Sequence, residues 1–342
     1  MENNILLTGA STLVCLLLTF PLHKLGRSTG LVDRPDARKT HERNTPVIGG
    51  IAIFLTILTF AIYQQPFYFM PYFLALVLGI ADDRFQLTPL LRVIGQVVVA
   101  SIIASQIHIS SLGNLFGNEI ILSGYVSFIF TIFAIVGLMN AFNIIDGLDG
   151  LCVIIFLVGY AGFWASMDFL PVGFFIISGA CVGFLLQNFR FYLKKKARIF
   201  LGDGGAYFLG ALFSVALIRY SQGYSNEGNI FHNSPVLVLF FIIVPLNETL
   251  GVLIKRTFFD KKSFSTAGKD HTHYYIAEGL GSGTKAVFTI ATIAFLWIAL
   301  GLILQSLGAS NTILLVVYLF CLIMHTSIFI LISKYKEKES AG

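Results

Sequence analysis

Charged residues are scarce in this sequence. Asp, Glu, Lys and Arg make up only 12% of its 342 residues, whereas 56% are hydrophobic. Soluble domains average about 25% charged residues, so this composition excludes a soluble enzyme and leaves almost no room for a domain outside a membrane. We therefore expect a single integral-membrane domain that covers residues 1–342.

Cysteine is also scarce, and no two cysteines form a C-x-x-C pair. All of them lie inside apolar runs, where cysteine usually acts as a small buried hydrophobic residue, so we predict neither a disulfide nor a zinc site. They are Cys15, Cys152, Cys181 and Cys321. An internal repeat is absent as well, which counts against the inverted-repeat architecture of many transporters.

Long apolar runs, by contrast, are abundant. A helix that crosses a bilayer needs roughly 20 apolar residues, and fewer when neighbouring helices shield its ends. The runs predict an all-α polytopic membrane protein with about 11 transmembrane helices. They lie near 5–22, 47–65, 68–81, 89–107, 126–143, 150–167, 170–189, 204–220, 235–254, 285–306 and 312–333.

The positions of lysine and arginine predict the orientation, because cytoplasmic loops are enriched in both. With the N-terminus outside and the C-terminus in the cytoplasm, every Lys and Arg except Arg219 faces the cytoplasm. The cytoplasmic segments are then 23–46, 82–92, 144–149, 190–203, 255–285 and the tail after 333. The net charge of +5 follows largely from this topology and from contact with anionic lipid, so we predict no nucleic-acid partner.

The longest segment on the outer side is 108–125. It contains residues that favour β-structure around Asn114–Gly117, and it therefore predicts a short periplasmic hairpin.

Carboxylates stand where several apolar runs end. Asp82 and Asp83 lie in GIADDRFQL, Asp146 and Asp149 in NAFNIIDGLDGL, and Asp203 in RIFLGDGGAYFLG. A carboxylate at a membrane boundary is costly unless a positive group or water compensates it. The orientation deduced from Lys and Arg places all five on the cytoplasmic side. Together they predict a divalent metal and a phosphorylated substrate.

Two of these motifs also allow simpler interpretations. Asp82 and Asp83 are adjacent, so on a helix they point about 100° apart and their mutual repulsion favours a bound cation. Alternatively they form a solvated helix end with Arg84 as partner. Asp203 lies in a glycine-rich turn that presents free N–H groups to an anion, or it is a plain N-cap.

In the segment NAFNIIDGLDGL, polar residues recur at every third position. Asn140, Asn143, Asp146 and Asp149 share one face of a helix, and amide and carboxylate oxygens are ligands that suit Mg²⁺. The alternative is a polar helix end with Asx turns.

Two cytoplasmic segments carry basic and imidazole side chains. The segment 33–50 contains basic residues that could clamp phosphate or that are ordinary positive charge of a cytoplasmic loop. They are Arg38, Lys39, His41 and Arg43. In KDHTHYY, His271 and His273 lack a further nearby zinc ligand, so phosphate contact or acid–base chemistry is favoured.

Taken together, these motifs resemble the polyprenyl-phosphate N-acetylhexosamine-1-phosphate transferases of glycosyltransferase family 4, in their WecA-type branch. The resemblance rests on DRPDARKTH with PVIGG, ADDRFQLTP, NAFNIIDGLDGL, GFLLQNFRF with KARIFLGDGGAYFLG, and the histidine-containing loop. It covers essentially the whole chain.

The resemblance implies that a lipid-phosphate oxygen attacks the β-phosphate of a UDP-N-acetylhexosamine, and the WecA-type branch implies UDP-N-acetylglucosamine. The products would be an undecaprenyl-diphosphate-linked sugar and UMP. It implies Mg²⁺ as cofactor, with Mn²⁺ as an alternative, and a multi-pass protein of the bacterial inner membrane whose active side is cytoplasmic. It further implies a role in starting O-antigen or a related surface polysaccharide, and it leaves a homodimer open.

Roles carry over to matching residues only as implications of this resemblance. Asp203 would be the main Mg²⁺ ligand, Asp83 a second ligand or a diphosphate-positioning group, and Asp82 the base for the lipid phosphate. Asn143, Asp146 and Asp149 would shape the nucleotide and metal pocket, and His273 would face the phosphates. The remaining substrate-binding residues would be Arg38, Lys39, His41, Asn140 and Asn188.

The sequence departs from the family pattern in two places. The ninth span usually reads P-L-x-D, whereas residues 245–248 here read P-L-N-E, and in the histidine loop only His273 matches a family histidine. Two rival interpretations remain, a transporter for a phosphorylated solute and an inactive scaffold of the same family. The grouping of the acids on one side, away from the membrane midplane, counts against the transporter.

Overall fold

Helices form nearly all of the regular structure in the computed structural model of this protein. The model describes residues 2–34, 44–61, 69–167, 171–223, 234–261 and 270–341. In the first half of the chain the helices are α1 Glu2–Thr29, α2 Gly49–Ala61, α3 Met70–Phe85, α4 Pro89–Ala104, α5 Gly124–Ile145, α6 Leu151–Ala165 and α7 Val172–Asn188. In the second half they are α8 Gly202–Ser221, α9 Val238–Phe241, α10 Ile243–Ile254, α11 Thr272–Gly279, α12 Gly283–Ser306 and α13 Asn311–Ala341.

The strands are short and few within the described residues. Strand β1 Val32–Asp33 pairs antiparallel with β2 Thr45–Pro46. Strand β3 Ser111–Leu115 pairs antiparallel with β4 Asn118–Ile121, which confirms the hairpin predicted within 108–125. Gly117 adopts φ +86° in the connecting turn, a left-handed conformation that glycine reaches without steric cost.

Each predicted apolar run contains a helix, but the run 235–254 is broken. Helix α9 ends at Phe241, and α10 begins at Ile243. Pro245 explains the break, because proline has no N–H to donate to the carbonyl four residues earlier, which belongs to Phe241. Helix α11 lies in the loop predicted for 255–285, where no helix was expected.

Several helices are long and apolar enough to cross a membrane. By length and composition they are Asn3–Thr29, Gly124–Ile145, Val172–Leu193, Gly283–Ser306 and Asn311–Lys336 among the described residues. The prediction of an all-α membrane protein is thereby confirmed. The count of eleven spans and their orientation remain predictions.

The chain divides into two compact units. The first comprises residues 1–106, 132–153 and 167–214. Within it α1 packs along α7, and the approach is close, since a Cβ placed on Gly179 would lie 2.4 Å from the carbonyl oxygen of Thr8. The hydroxyl of Ser11 donates to the carbonyl of Ile176 at 2.6 Å. These small residues let the two backbones approach, as is common between membrane helices.

The second unit comprises residues 107–131, 154–166 and 215–342. Its β-hairpin is anchored by Gln222, whose side-chain oxygen accepts hydrogen bonds from the backbone N–H groups of Ser110 and Ser111 at 2.8 and 2.9 Å. A buried aromatic cluster of Phe163, Tyr220 and Phe241 forms part of its core.

Candidate active site

In the first unit, the start of α8 holds the carboxylate to which the sequence assigned the metal. Gly202 adopts φ +79°, and Asp203 follows in the first turn of the helix. The side-chain nitrogen of Asn143, near the end of α5, donates to Oδ1 of Asp203 at 2.6 Å. The glycine-rich turn therefore opens a helix as predicted, and two of the predicted site residues are in direct contact.

Asp83 of α3 meets the same helix start. Its carboxylate oxygens accept hydrogen bonds from the backbone N–H groups of Asp203 at 3.2 Å and Gly204 at 3.4 Å. The first N–H groups of a helix have no partner within the helix, and a negative charge there is stabilised by the helix dipole. Asp83 thus caps α8 from another helix.

This contact requires α3 and α8 to approach at backbone distance. A Cβ placed on Gly79 would lie 2.2 Å from the nitrogen of Gly204 and 2.4 Å from the carbonyl oxygen of Asp203. No side chain larger than hydrogen fits there without a shift of one helix. Gly79, one turn before Asp83, is therefore part of the geometry that positions the carboxylates.

Asp82 also lies beside Asp203, but its other partners differ from those of Asp83, because adjacent helical residues point about 100° apart. It is only 2% exposed, and it forms a 2.9 Å ion pair with Nε of Arg92. The hydroxyl of Tyr207 donates to it at 3.2 Å and the N–H of Leu87 at 3.1 Å. The partner of Asp82 is therefore Arg92, not the exposed Arg84, whose guanidinium lies over the ring of Phe85.

Asp146 lies in the turn just after α5. Burial, together with the charges of Asp203 and Asp149, raises the pKa of its carboxyl group to about 8, although a backbone hydrogen bond from Gly202 opposes this shift. These effects disfavour the ionised form of Asp146 in the absence of a cation. Asp149 is exposed.

The polar residues predicted for one face of α5 therefore have different partners: Asn143 contacts Asp203, whereas Asn140 does not. Asn140 exchanges two hydrogen bonds with Gln96 of α4, at 2.7 and 3.3 Å, so it bonds to an amide and not to the carboxylates. Asn188 is buried, and its side-chain nitrogen donates to the carbonyl of Ile199 at 2.8 Å. It ties the end of α7 to the segment that precedes Asp203, which is a structural contact.

The predicted phosphate clamp lies outside the described residues. Arg38, Lys39 and His41 all belong to it, and their assignment stays a prediction.

A second cluster of ionisable side chains lies in the second unit, around Glu248 of α10. Glu248 is 3% exposed, and its Oε1 accepts a hydrogen bond from the backbone N–H of Thr272 at 2.7 Å. Thr272 is the first residue of α11, and the N-cap residue His271 makes no side-chain cap. Glu248 therefore caps α11 from another helix.

Imidazoles surround this carboxylate. The Nδ1 atoms of His273 and His271 lie 3.4 and 3.7 Å from Oε1 of Glu248, and Nε2 of His325 lies 4.0 Å from Oε2. His273 is 2% exposed, and neither of its ring nitrogens makes a hydrogen bond within the described part of the chain. The rings of His271 and His273 stack with centroids 5.4 Å apart.

Arg256 binds Asp270, the residue that directly precedes His271. Its guanidinium makes a bidentate pair with Asp270, with nitrogen–oxygen distances of 2.9 and 2.6 Å. Arg256 lies in a π-helical turn, Lys255–Asp260, that continues α10. Burial opposes ionisation of Asp270, but Arg256 outweighs it and lowers the pKa of that carboxyl group.

Comparison with known proteins shows which family this chain resembles. Residues 66–221 match the model of glycosyl transferase family 4. A relative from Escherichia coli K12, undecaprenyl-phosphate alpha-N-acetylglucosaminyl 1-phosphate transferase, is 27% identical over 310 residues, which are 84% of this chain and 82% of the relative. The protein of the same name from Pasteurella multocida is 29% identical over 295 residues, covering 80% and 78%.

Over residues 66–221 this chain is similar to glycosyl transferase family 4.

The matched family region contains all of the first cluster and ends before the second. Asp82, Asp83, Asp146 and Asp203 fall inside residues 66–221, whereas Glu248 lies beyond them. The structure brings Asp83, Asp146 and Asp203 together at the start of α8, and their roles in catalysis remain a prediction. The resemblance did not predict a role for Arg92, which is the next positive charge after Arg84 along the chain.

The donor chemistry of the first cluster suits Mg²⁺. Among the described residues, no group of three His, Cys, Asp or Glu side chains is arranged to hold a metal ion by itself. Mg²⁺ usually binds through one or two protein carboxylates plus substrate phosphates and water, so a closed protein site is not required. Asp83 and Asp203 supply hard oxygen ligands, and the negative charges around Asp146 would be neutralised by a bound cation.

Proposed function

We propose that this protein transfers N-acetylglucosamine 1-phosphate from UDP-N-acetylglucosamine to undecaprenyl phosphate, releasing UMP. One observation carries the proposal, the convergence of Asp83, Asp146 and Asp203 at the start of α8. Partly buried carboxylates in such excess favour a divalent cation shared with phosphate oxygens. The names of the relatives from Escherichia coli and Pasteurella multocida support the choice of lipid and sugar.

The reaction is a phosphoryl transfer. An oxygen of the lipid phosphate attacks the β-phosphorus, a new P–O bond forms, and the bond to the bridging oxygen breaks so that its electron pair leaves with UMP. Mg²⁺, when bound, would neutralise charge on the phosphate oxygens. Catalysis then depends mainly on how the chain positions the two substrates.

The residues of the first cluster take distinct roles in this proposal. Asp203 and Asp83 would hold the cation, and Asn143 would fix the orientation of Asp203 through its 2.6 Å hydrogen bond. A lipid phosphate is already largely ionised near pH 7, so no strong base is needed. Asp82, which already accepts from three donors, is better suited to holding Arg92 in place than to accepting a proton.

The decisive experiment measures UMP release by purified protein with undecaprenyl phosphate, Mg²⁺ and a panel of UDP-sugars. We expect turnover with UDP-N-acetylglucosamine, loss of activity with EDTA and recovery on addition of Mg²⁺ or Mn²⁺. Full activity in metal-free buffer would contradict the metal assignment. Failure with every UDP-sugar would favour the inactive scaffold, and uptake of solute by vesicles would favour the transporter.

We also propose that the protein crosses the inner membrane eleven times with its active side in the cytoplasm, where it starts synthesis of a surface polysaccharide. Cysteine labelling in intact cells tests this topology. A cysteine at Lys336 should resist an impermeant thiol reagent, and one at Asn118 should react. The native cysteines are all buried, so their background labelling should be low. The reverse pattern would overturn the orientation.

A further inference from the structure

We propose that Glu248 is a positioning residue that fixes the start of α11, and with it His271 and His273, for binding of the nucleotide sugar. The inference rests on the proposed function for its catalytic consequence. Its structural part, that one carboxylate holds this segment, stands on the contacts within the second unit.

The geometry at Thr272 is that of a helix cap. Helix α11 begins at Thr272, and its own N-cap residue offers no side-chain acceptor. The 2.7 Å hydrogen bond from the Thr272 N–H to Glu248 supplies the missing acceptor. A carboxylate at this end also interacts favourably with the helix dipole.

The same carboxylate also orders the imidazoles. Oε1 of Glu248 lies 3.4 Å from His273 and 3.7 Å from His271, on either side of the capped residue. His325 of α13 lies 4.0 Å from the other oxygen and 3.4 Å from the hydroxyl of Thr272. A buried carboxylate without partners would be costly, so these groups and Glu248 stabilise one another.

A second contact restrains the same segment. Arg256, eight residues after Glu248 in sequence, binds Asp270 through two hydrogen bonds. The stretch from α10 through the π-helical turn thus holds residues 270–273 at two points. Such turns in helices are frequent at functional sites. Nδ1 of His273 faces Glu248, whereas its Nε2 makes no hydrogen bond to described residues and is the nitrogen that a ligand could engage.

Three substitutions at Glu248 distinguish its role as a hydrogen-bond acceptor for α11 from the effect of its negative charge on the imidazoles. Gln keeps an acceptor for the Thr272 N–H but removes the negative charge beside the imidazoles. Asp keeps the charge but shortens the reach by one methylene group. Ala removes both. Ser282→Ala is the matched control, because Ser282 caps the neighbouring helix α12 through the Lys285 N–H and has no place in the imidazole cluster.

Hydrogen–deuterium exchange of residues 272–279 in the full-length protein tests the structural part. We expect Glu248→Ala to speed exchange by roughly 2- to 30-fold, the range for loss of a helix cap. Glu248→Gln should stay near wild type, and Ser282→Ala should affect α12 only. Unchanged exchange in Glu248→Ala would overturn the inference, and this result does not depend on any enzymatic activity.

Steady-state kinetics tests the catalytic part. We expect Glu248→Gln to raise KM for the UDP-sugar about tenfold or more, with little change in KM for the lipid phosphate, because charge beside the loop histidines is lost. Glu248→Asp should restore part of this loss. Equal effects on both KM values, or none, would reject the positioning role. Absence of turnover in the wild-type protein would instead reject the proposed function.

Discussion

Helices α8 and α11 both start against a carboxylate supplied by another helix, but the charge around the two starts differs. At α8, Asp83 accepts two backbone N–H groups while Asp203 and Asp146 add further negative charge. At α11, Glu248 accepts one backbone N–H and is surrounded by imidazoles. The start of α8 thus has more carboxylates than positive groups, whereas at the start of α11 nearby imidazoles are partners for the carboxylate.

This difference indicates that the cluster at α8 binds a ligand, whereas the cluster at α11 positions a segment of the chain. Carboxylates removed from water repel one another unless a cation lies between them, so the partly buried cluster at α8 favours binding of a cation that the chain does not supply. The cluster at α11 contains acid and base in one place, and its interactions hold a segment in a fixed conformation. The following tests address this contrast.

The largest effect is expected at Asp203. Asp203→Asn removes a metal ligand and one negative charge, so we predict a loss of at least about a hundredfold in kcat, as for removal of a strong electrostatic group in an active site. Radiolabel transfer from UDP-sugar into lipid measures it. Glu119→Gln, an exposed carboxylate in β4, is the control for the same chemical change and should retain activity. Near-normal turnover of a folded Asp203→Asn protein would place the metal elsewhere.

A smaller effect is expected at Gly79. A methyl group there would clash with the backbone of Gly204 at 2.2 Å, so α8 must move away from Asp83. We predict a loss of roughly tenfold to a hundredfold in activity, the scale of an ångström misplacement in an active site, and a lower Tm. Gly137→Ala on α5 is the matched control, because its Cβ would meet no atom within 4 Å. Equal behaviour of the two variants would show that the α3–α8 contact does not position the site.

The smallest effect concerns pH at α11. Burial lowers the pKa of His271 to about 4, His273 contributes to this shift, and Glu248 and Asp270 oppose it. Because the folded-state pKa lies below the unfolded value of about 6.5, the neutral ring stabilises the segment above that pH. Stability should therefore decline as pH falls from about 6.5 towards 4.

Limited proteolysis and hydrogen exchange of residues 270–279 at pH 7.5 and pH 5 measure this decline. His271→Asn, which cannot be protonated, should reduce the difference between the two pH values. A pH dependence that is unchanged in this variant would assign the effect to another group.

Local patterns in the sequence predicted much of the architecture. Apolar runs located the helices, since burial in lipid requires backbone groups to bond within a helix, and turn-forming residues located the β3–β4 hairpin. The three-residue spacing of Asn143 and Asp146 predicted one helical face, but α5 ends at Ile145, so Asn143 lies near the helix end and Asp146 in the turn after it. The glycine-rich string placed Asp203 at a helix start. These features depend on neighbours within a few residues, which a sequence displays directly.

Tertiary structure alone decided which group each carboxylate meets. Asp82 pairs with Arg92 and Tyr207 instead of Arg84, and Asp83 caps a helix that begins about 120 residues later in the chain. Glu248, noticed in the sequence only as a departure from a family pattern, is the cap of α11. Such partners are set by helix packing, because an unsatisfied buried carboxylate or N–H group must find whatever complementary group the fold brings near. Periodic patterns in the sequence do not indicate which distant group each carboxylate will contact.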